Sequence, residues 1–295
     1  MATVSLESLN AADEAGVIAA LGDIYEHAPW VAQAVCGQRP FATLAALHDA
    51  MMAAVRAAPA DRRLTLIKGH PDLAGKAARA GLLTADSRAE QTSAGLDRLS
   101  DAEFAQFHHL NSAYREKFGM PFIICVRRHG RDSILRQFES RLHNSVAAET
   151  EAALAEIFRI AALRLDQRLE APDRLRVHGR LSTHVLDTHG GTPAAGVAIE
   201  LFELPASGEP RPIASAATNR DGRTDEPLIA GQPLPIARYE LRFHVAAYFA
   251  RLRTPQGDPP FLDVVPVQFA VAEPEGHYHV PLLATPWSYA TYRGS

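Results

Sequence analysis

Residues 239–245, Tyr-Glu-Leu-Arg-Phe-His-Val, alternate between apolar and polar side chains. Alternation is typical of a strand with one buried face, because successive side chains of a strand point to opposite sides. Val197, Ile199 and Leu201 repeat the pattern. Turn-forming residues separate such segments, at 190–191, 219–222 and 257–260. Several short strands joined by turns predict an antiparallel β-sandwich in the second half of the chain.

The first half has helical periodicity instead. Ser100 and Glu103 have the spacing of a capping box, in which each side chain bonds the backbone N–H of the other residue. Gly119 stands where a helix should end, and Pro121 prevents its continuation. A second apolar stripe begins after Ser145 and gives out near residue 170. We therefore expect an all-α domain at residues 1–169, with no strand, followed by the β-sandwich domain at residues 170–295.

Composition excludes several classes of function. The chain has 295 residues, 47% of them apolar and 22% charged, as in ordinary globular proteins. A net charge of -4 gives no reason to expect a nucleic-acid partner. Two cysteines far apart in the sequence do not form a disulfide framework, which fits a reducing compartment. With no secretory pattern and no apolar run long enough for a bilayer, we expect a cytoplasmic protein without a membrane partner.

Three polar clusters stand out in the β half, at residues 181–187, 218–223 and 277–279. His277 and His279 lie two residues apart, so both point to one face of a regular strand. A strand histidine is more often a solvated or half-buried side chain than a catalyst. Two such histidines with a third can also bind zinc, although no cysteine is nearby and no carboxylate has ligand spacing. The residues alone leave these alternatives open.

Taken together, the clusters resemble the 5-hydroxyisourate hydrolase family, the transthyretin-related enzymes of urate breakdown. The resemblance rests on Thr183-His184-Val185-Leu186-Asp187, on Gly191-x-Pro193-Ala194 and on the ending Tyr292-Arg293-Gly294-Ser295. It covers about residues 174–295 and implies a transthyretin-like sandwich. Transthyretin, the hormone carrier of the same fold, lacks this ending, so the resemblance favours an enzyme over a binding module.

The same resemblance implies three catalytic residues, His184, Arg223 and His279. Imidazole, with an ordinary pKa of about 6.5, suits a base that activates water, and a guanidinium suits a developing oxyanion. Which histidine is the base and which orients or donates a proton stays open. The resemblance also implies that Tyr292 and Ser295 help to close a site between subunits of a tetramer.

In the α half, two residues are unusual. Pro71 pushes His70 out of helical backbone, so we expect this histidine in a loop or at a helix start, exposed to a cleft. Arg164 falls on or beside the apolar stripe of the last helix, seven residues after Ile157. Such an arginine either extends its charge to solvent or binds an anion.

Several motifs of the α half, in order, resemble the OHCU decarboxylase family, whose substrate is 2-oxo-4-hydroxy-4-carboxy-5-ureidoimidazoline (OHCU). They are EHAPW at 26–30, RPF at 39–41, HPDL at 70–73, SRAEQ at 87–91 and KFGMPFI at 117–123. The resemblance covers about residues 5–168. It implies that His70 and Glu90 are catalytic. It implies substrate contacts from Pro71, Ser87, Gln91, Phe122, Ile123 and Arg164.

The family's reaction needs no cofactor and no metal, because the imine and ureido groups of the substrate can delocalise the electron pair that carbon dioxide leaves. We expect His70 to assist departure of the carboxylate and Glu90 to shape proton delivery, although these roles can be exchanged without contradiction. Arg164 is expected to hold a substrate anion or carbonyl by charge-assisted hydrogen bonds.

The two resemblances describe consecutive reactions, since the hydrolase makes OHCU and the decarboxylase converts it to (S)-allantoin. They imply a bifunctional, homo-oligomeric enzyme of urate degradation, with a tetrameric β domain and a dimeric α domain and with small molecules as its partners. Two other classes stay open. The β half can be a binding module without activity, and the α half can be an oligomerisation scaffold.

Overall fold

The computed structural model describes residues 3–75, 83–206 and 208–294, and the chain forms two compact units. The first unit consists of Met1–Arg127 and Ile134–Val177, and the second of Arg128–Ser133 and His178–Ser295. Helices come first and strands follow, as the sequence predicts. The domain boundary between residues 169 and 170 stays a prediction.

Most helices lie before residue 169. They are α1 (Leu6–Ala11), α2 (Glu14–Leu21), α3 (Trp30–Val35), α4 (Leu44–Ala57), α5 (Ala60–Lys68), α6 (Ala85–Ser93), α7 (Asp101–Phe118), α8 (Arg131–Arg141) and α9 (Val146–Arg168), with 3-10 turns at Cys36–Gln38 and Val126–Arg128. A further helix, α10 (Val245–Arg251), follows a strand of the second unit.

Local chemistry sets the ends of α7. The Ser100 backbone N–H donates to the Glu103 carboxylate at 2.7 Å, and the Glu103 N–H donates to the Ser100 hydroxyl at 3.2 Å. Gly119 ends the helix with a φ of 67°, a left-handed conformation that favours glycine. The predicted capping box and helix end are both confirmed.

Helix α9 is the longest of the described helices, and it packs along the core of the first unit. Ser145 caps it by accepting a hydrogen bond from the Ala148 N–H at 3.2 Å. The predicted apolar stripe, which includes Leu154, Ile157 and Leu165, is buried. Charged side chains are buried on the same helix, and Arg164 among them is 5% exposed.

One expectation for the first unit is wrong. A two-residue strand, β1 (Val4–Ser5), precedes α1 and pairs in parallel with β2 (Leu169–Glu170), directly after α9. Two residues are too few for an alternating pattern to appear in the sequence. The pairing forms because tertiary structure brings the two ends of this unit together.

The second unit contains strands β3 to β13. They are β3 (Gly179–Ser182), β4 (Val185–Asp187), β5 (Thr192–Pro193), β6 (Ala198–Leu204), β7 (Arg211–Ala217), β8 (Ile229–Gln232), β9 (Ala237–His244), β10 (Val264–Val271), β11 (His277–His279), β12 (Leu282–Ala284) and β13 (Tyr289–Thr291). One sheet has the antiparallel order β10-β9-β6-β7. The remaining strands have the orders β11-β3-β8 and β13-β12-β4-β5.

Residues 239–244 of the alternating stretch lie in β9, whereas Val245, which the alternation predicts to continue the strand, begins α10. The apolar residues Leu241 and Phe243 of β9 are fully buried and lie opposite Leu201 and Ile199 of β6. The same hydrophobic cluster includes residues of the other strands, such as Leu282. The burial of one face on each sheet is what stabilises a sandwich.

Two pairs of strands in the second unit run parallel, which alternation cannot predict. Strand β11 runs beside β3, and β12 runs beside β4. This register places His279 directly opposite Ser182. Segments almost a hundred residues apart in sequence are thereby brought together at one site.

Among the described residues, no helix is long and apolar enough to cross a bilayer.

Candidate active sites

A cavity lies in the first unit. All eight residues that the sequence analysis assigns to the decarboxylase site line it. They are His70, Pro71, Ser87, Glu90, Gln91, Phe122, Ile123 and Arg164. Leu73, Ile124, Val126 and Ile160 complete the lining. Its walls combine apolar surface with a few polar groups, as the walls of small-molecule sites do.

His70 follows the end of α5, in the non-helical position that Pro71 requires. The expectation that it is exposed is wrong, since it is 7% exposed, although it lines the cavity. Its Nδ1 lies 3.0 Å from the Leu66 carbonyl oxygen. Because a carbonyl oxygen accepts only, Nδ1 carries the proton and Nε2 of the neutral ring keeps its lone pair. Burial lowers the pKa of His70 to about 4, so the ring is neutral near pH 7.

The Arg164 guanidinium does not extend to solvent. It already pairs with carboxylates of the protein itself. Its Nε and Nη2 donate to the two carboxylate oxygens of Glu90, at 2.8 and 2.9 Å. Its Nη1 donates to Oε2 of Glu26 at 3.0 Å. The guanidinium is thus held between two carboxylates, a pairing that offsets the cost of burying its charge.

Burial raises the pKa of Glu90, and the Arg164 guanidinium only partly opposes this. Burial also acts on Glu26, but a hydrogen bond from Thr84 and the charge of Arg164 outweigh it, so the pKa of Glu26 is lowered. Ser87 contributes a third donor to Glu26, at 3.2 Å. The two carboxylates beside one cation therefore differ in how readily they take up a proton.

Contacts with Arg141 and Phe138 hold the extended segment that carries Phe122 and Ile123. Arg141 Nη1 donates to the Ile123 carbonyl at 2.8 Å, and the same guanidinium pairs with Glu149, which is fully buried. The Phe122 ring stacks on Phe138 with centroids 3.7 Å apart. These contacts hold one wall of the cavity in place.

In the second unit, His184 and His279 are in direct contact. His184 Nδ1 lies 2.7 Å from His279 Nε2, and the rings are stacked at 19°. Burial lowers the pKa of both histidines, and the nearby Arg223 guanidinium lowers them further. Two neutral rings can share one hydrogen bond, in which one ring donates and the other accepts.

Ser182 adds a further link to this pair. Its hydroxyl oxygen lies 2.9 Å from His279 Nδ1 and 3.0 Å from His277 Nε2. Both histidines of β11 therefore point to one face, as their spacing predicts. His277 is exposed, whereas His279 is half-buried.

A tight turn positions Arg223 opposite His184, with which it forms an isolated antiparallel bridge. The Asn219 side-chain oxygen accepts hydrogen bonds from the N–H groups of Asp221 and Arg223, at 3.0 and 3.2 Å. Gly222 has a φ of 72°, and a Cβ there would lie 2.4 Å from the Val185 carbonyl oxygen. The turn thus needs glycine at this position.

The C-terminal segment lies against the histidine pair. The Gly294 N–H donates to the His279 carbonyl at 2.8 Å, and a Cβ on Gly294 would lie 2.7 Å from the His279 ring. Glycine therefore allows the chain to pass close over the imidazole. Tyr292 is 55% exposed within the single chain. Ser295, the last predicted site residue, lies outside the described residues.

Across the part of the chain that the structure describes, no group of three or more histidine, cysteine, aspartate or glutamate side chains is arranged to hold a metal ion.

Comparisons with known proteins match each unit separately. Residues 10–166 match the OHCU decarboxylase model, and residues 181–294 match the HIUase/transthyretin family model. A 5-hydroxyisourate hydrolase of Deinococcus radiodurans is 56% identical over 119 residues, which are 40% of this chain and 98% of that protein. The chain belongs to both families. The predicted transthyretin-like sandwich is thereby confirmed for the HIUase/transthyretin-family unit.

Two further relatives extend the match. An OHCU decarboxylase of Halalkalicoccus jeotgali is 40% identical over 167 residues, covering 57% of this chain and 93% of that protein. A crystal structure of (S)-allantoin synthase is 34% identical, with a TM-score of 0.53, and the match covers 99% of this chain and 100% of that one. The likeness to this solved protein therefore extends over both family units of the chain.

Sequence reasoning missed two polar groups at these sites. Glu26 stands within the EHAPW motif of the OHCU decarboxylase-family unit, but no local pattern indicates that it pairs with Arg164, 138 residues away. Ser182 directly precedes the THVLD motif of the other unit, and its link to His279 spans 97 residues. For Glu26, the available signal was Arg164 on the apolar stripe of α9, because a buried charge requires a partner.

Proposed function

We propose that this chain catalyses two consecutive steps of urate breakdown. The HIUase/transthyretin-family unit hydrolyses 5-hydroxyisourate to OHCU, and the OHCU decarboxylase-family unit converts OHCU to (S)-allantoin. The observation that carries the proposal is the full-length likeness to (S)-allantoin synthase, which has both units in this order. The grouping of the predicted side chains in the cavity and in the histidine pair supports it.

In the decarboxylase site, His70 acts as the base. Its Nε2 lone pair faces the cavity because Nδ1 is committed to the Leu66 carbonyl. The substrate carries a hydroxyl and a carboxylate on one ring carbon, as its chemical name states. Accepting a hydrogen bond from that hydroxyl, His70 favours the electron shift that releases carbon dioxide.

Glu90 supplies the proton that replaces carbon dioxide. Its raised pKa and its place on one wall of the cavity suit a carboxyl group that is protonated when an anionic substrate binds. One proton enters for each carbon dioxide that leaves, because a carboxylate is lost and a C–H bond forms. Delivery from one side gives a single enantiomer. Arg164 binds the substrate and keeps Glu90 in place.

The remaining lining residues position the substrate. Ser87 and Gln91 offer polar groups from α6, while Pro71, Phe122 and Ile123 contribute apolar walls. Together these groups hold the substrate ring in one orientation. Neither site is proposed to use a cofactor or metal.

In the hydrolase site, the pair formed by His184 and His279 activates water. The lowered pKa of both rings keeps one lone pair available near neutral pH. Arg223 stabilises the oxyanion that forms when hydroxide adds to the carbonyl carbon. Tyr292 and Ser295 help to close the site between subunits of a tetramer. The α unit is proposed to be dimeric, and the enzyme to work in the cytoplasm.

The decisive experiment follows circular dichroism of allantoin formed from freshly generated 5-hydroxyisourate. The intact chain should give one enantiomer rapidly, His70→Ala should give racemate slowly, and His279→Ala should stall at 5-hydroxyisourate for as long as its spontaneous decay requires. His70→Ala should keep hydrolysis and His279→Ala should keep decarboxylation, which shows that each substitution affects only its own unit. If the intact chain leaves both intermediates at their uncatalysed rates, the proposal is wrong, and a binding module or a scaffold replaces it.

A further inference from the structure

The hydroxyl of Ser182 lies between two histidines of β11. It is 2.9 Å from His279 Nδ1 and 3.0 Å from His277 Nε2, and both distances are those of ordinary hydrogen bonds. A hydroxyl has one hydrogen to donate and can accept at its lone pairs. Ser182 can therefore donate to one of these rings while it accepts from the other.

The remaining bond, from His279 to His184, extends this arrangement into a chain of three hydrogen bonds. It runs from His184 through His279 and Ser182 to His277. Each ring uses one or both of its nitrogens in the chain, so the nitrogens at the ends are Nε2 of His184 and Nδ1 of His277. Every link can point in either direction, provided that all three reverse together.

We propose that Ser182 joins the three histidines into a proton relay that carries protons between the catalytic pair and His277. This inference rests on the proposed hydrolase function and adds Ser182 and His277 to it. His277 is the exposed end, and His184 is the end beside Arg223.

The forward shift removes a proton from the attacking water. As the water oxygen bonds to the substrate carbonyl carbon, His184 Nε2 takes a proton and passes its Nδ1 hydrogen to His279 Nε2. His279 passes its Nδ1 hydrogen to Ser182, and the serine passes its own hydrogen to His277 Nε2. His277 then releases its Nδ1 proton to solvent, so each ring is neutral again.

The reverse shift protonates the leaving nitrogen. When the ring C–N bond breaks, His184 Nε2 donates its hydrogen to that nitrogen, and the chain refills from solvent through His277. The relay returns to its first state within one turnover. The new carboxyl group ionises in water, so the net reaction consumes one water and releases one proton.

The charges around this chain of hydrogen bonds disfavour a proton that stays on one ring. They favour its transfer along the chain. Arg223 stands opposite His184, and Arg180 lies opposite His277 in the β3–β11 register. Both cations lower the pKa of His279, after the larger effect of burial. An imidazolium in the middle of the chain is therefore disfavoured, and a concerted shift avoids it.

Nitrogen NMR of histidine-labelled protein tests the hydrogen-bond chain without any substrate. If Ser182 exchanges direction, both nitrogens of His279 should show signals averaged between the protonated and unprotonated positions. In Ser182→Ala these signals should separate into those of a single tautomer, whereas Ser182→Thr, which keeps the hydroxyl, should resemble the wild type. Unchanged His279 signals in Ser182→Ala would overturn the proposal.

Kinetics test the relay itself. We expect kcat for 5-hydroxyisourate hydrolysis to fall about tenfold in Ser182→Ala and in His277→Ala, with KM little changed, and to persist in Ser182→Thr. Added imidazole should restore His277→Ala, because a small base can accept the proton from the serine. Decarboxylation of OHCU by the same variants reports that the first unit is intact, and their nitrogen NMR spectra report that the second unit is folded.

The outcomes separate the relay from the proposed function. If Ser182→Ala keeps the wild-type kcat, or if Ser182→Thr is as impaired as Ser182→Ala, the relay is wrong while the hydrolase function stands. If the wild-type chain does not accelerate hydrolysis, the hydrolase function is wrong, and the relay with it.

Discussion

Nη1 of Arg164 lies 3.0 Å from Oε2 of Glu26, and both side chains are almost completely buried. Glu26 also accepts hydrogen bonds from Thr84 and Ser87. A single carboxylate thus fixes a cation and two hydroxyl groups at the edge of the decarboxylase cavity. In the proposed decarboxylase mechanism, this arrangement makes Glu26 a positioning residue for Arg164.

Replacing Glu26 with glutamine keeps the shape of the side chain and removes its charge. Since Arg164 then has one carboxylate partner in place of two, we expect decarboxylation to slow at least about tenfold and stability to fall by about 3 kcal/mol. Stopped-flow assays on OHCU and urea unfolding measure the two effects. Glu151→Gln is the matched control, because its carboxylate is 69% exposed and pairs with Arg63 at 3.8 Å. Equal effects from both substitutions would contradict the prediction.

His70 should make the first unit sensitive to acid. Burial lowers its pKa to about 4, below the ordinary value of about 6.5 that it regains on unfolding. Between these values the unfolded chain binds more protons, so stability is full above pH 6.5 and is lost as the pH falls towards 4. We expect the wild type to lose about 2 kcal/mol more than His70→Gln between pH 7 and pH 5.

The measurement needs a signal from the first unit alone. The chain has two tryptophans, Trp30 and Trp287, so a Trp287→Phe background leaves Trp30 fluorescence to report urea unfolding of that unit. His109→Gln, at an exposed position, is the control and should follow the wild type. If His70→Gln loses as much stability as the wild type, the buried neutral histidine is contradicted.

Arg141→Ala should damage both stability and substrate binding. It leaves the fully buried Glu149 without its cationic partner and releases the Ile123 carbonyl. We expect a loss of about 3–5 kcal/mol, as for other broken buried ion pairs, and a higher KM for OHCU. Arg98→Ala should cost at most about 1 kcal/mol, because that side chain is 83% exposed. Thermal unfolding that ranks the two variants equally would refute the argument.

Gly222→Ala should impair the hydrolase and spare the decarboxylase. The new Cβ would meet the Val185 carbonyl at 2.4 Å in a backbone with φ of 72°, which displaces the turn that carries Arg223. Gly191→Ala is the control, because its φ is 67° but nothing lies within 4 Å of the added Cβ. We expect the control to cost about 1 kcal/mol and Gly222→Ala clearly more, with loss of hydrolysis. Similar hydrolysis rates in both variants would show that the close contact is unimportant.

Features that depend only on neighbouring residues could be predicted from the sequence. The capping box of Ser100 and Glu103 and the helix end at Gly119 are formed by hydrogen bonds within a few positions of the chain. Alternation over 239–245 predicted a strand because burial of one face requires it. The family resemblances named the eight cavity residues and the histidine pair. All of these except Arg164 and His279 stand in continuous motifs, which can be recognised without coordinates.

Partners that are distant in the sequence are visible only in the tertiary structure. The pairing of Glu26 with Arg164 spans 138 residues, and that of Ser182 with His279 spans 97. The parallel register of β3 with β11 and the burial of His70 are of the same kind. The sequence around one residue of such a pair does not indicate the other residue. The packing of whole helices and strands sets the distance between the two. In the low-dielectric interior, the pairing of Arg164 with Glu26 offsets part of the cost of burying both charges.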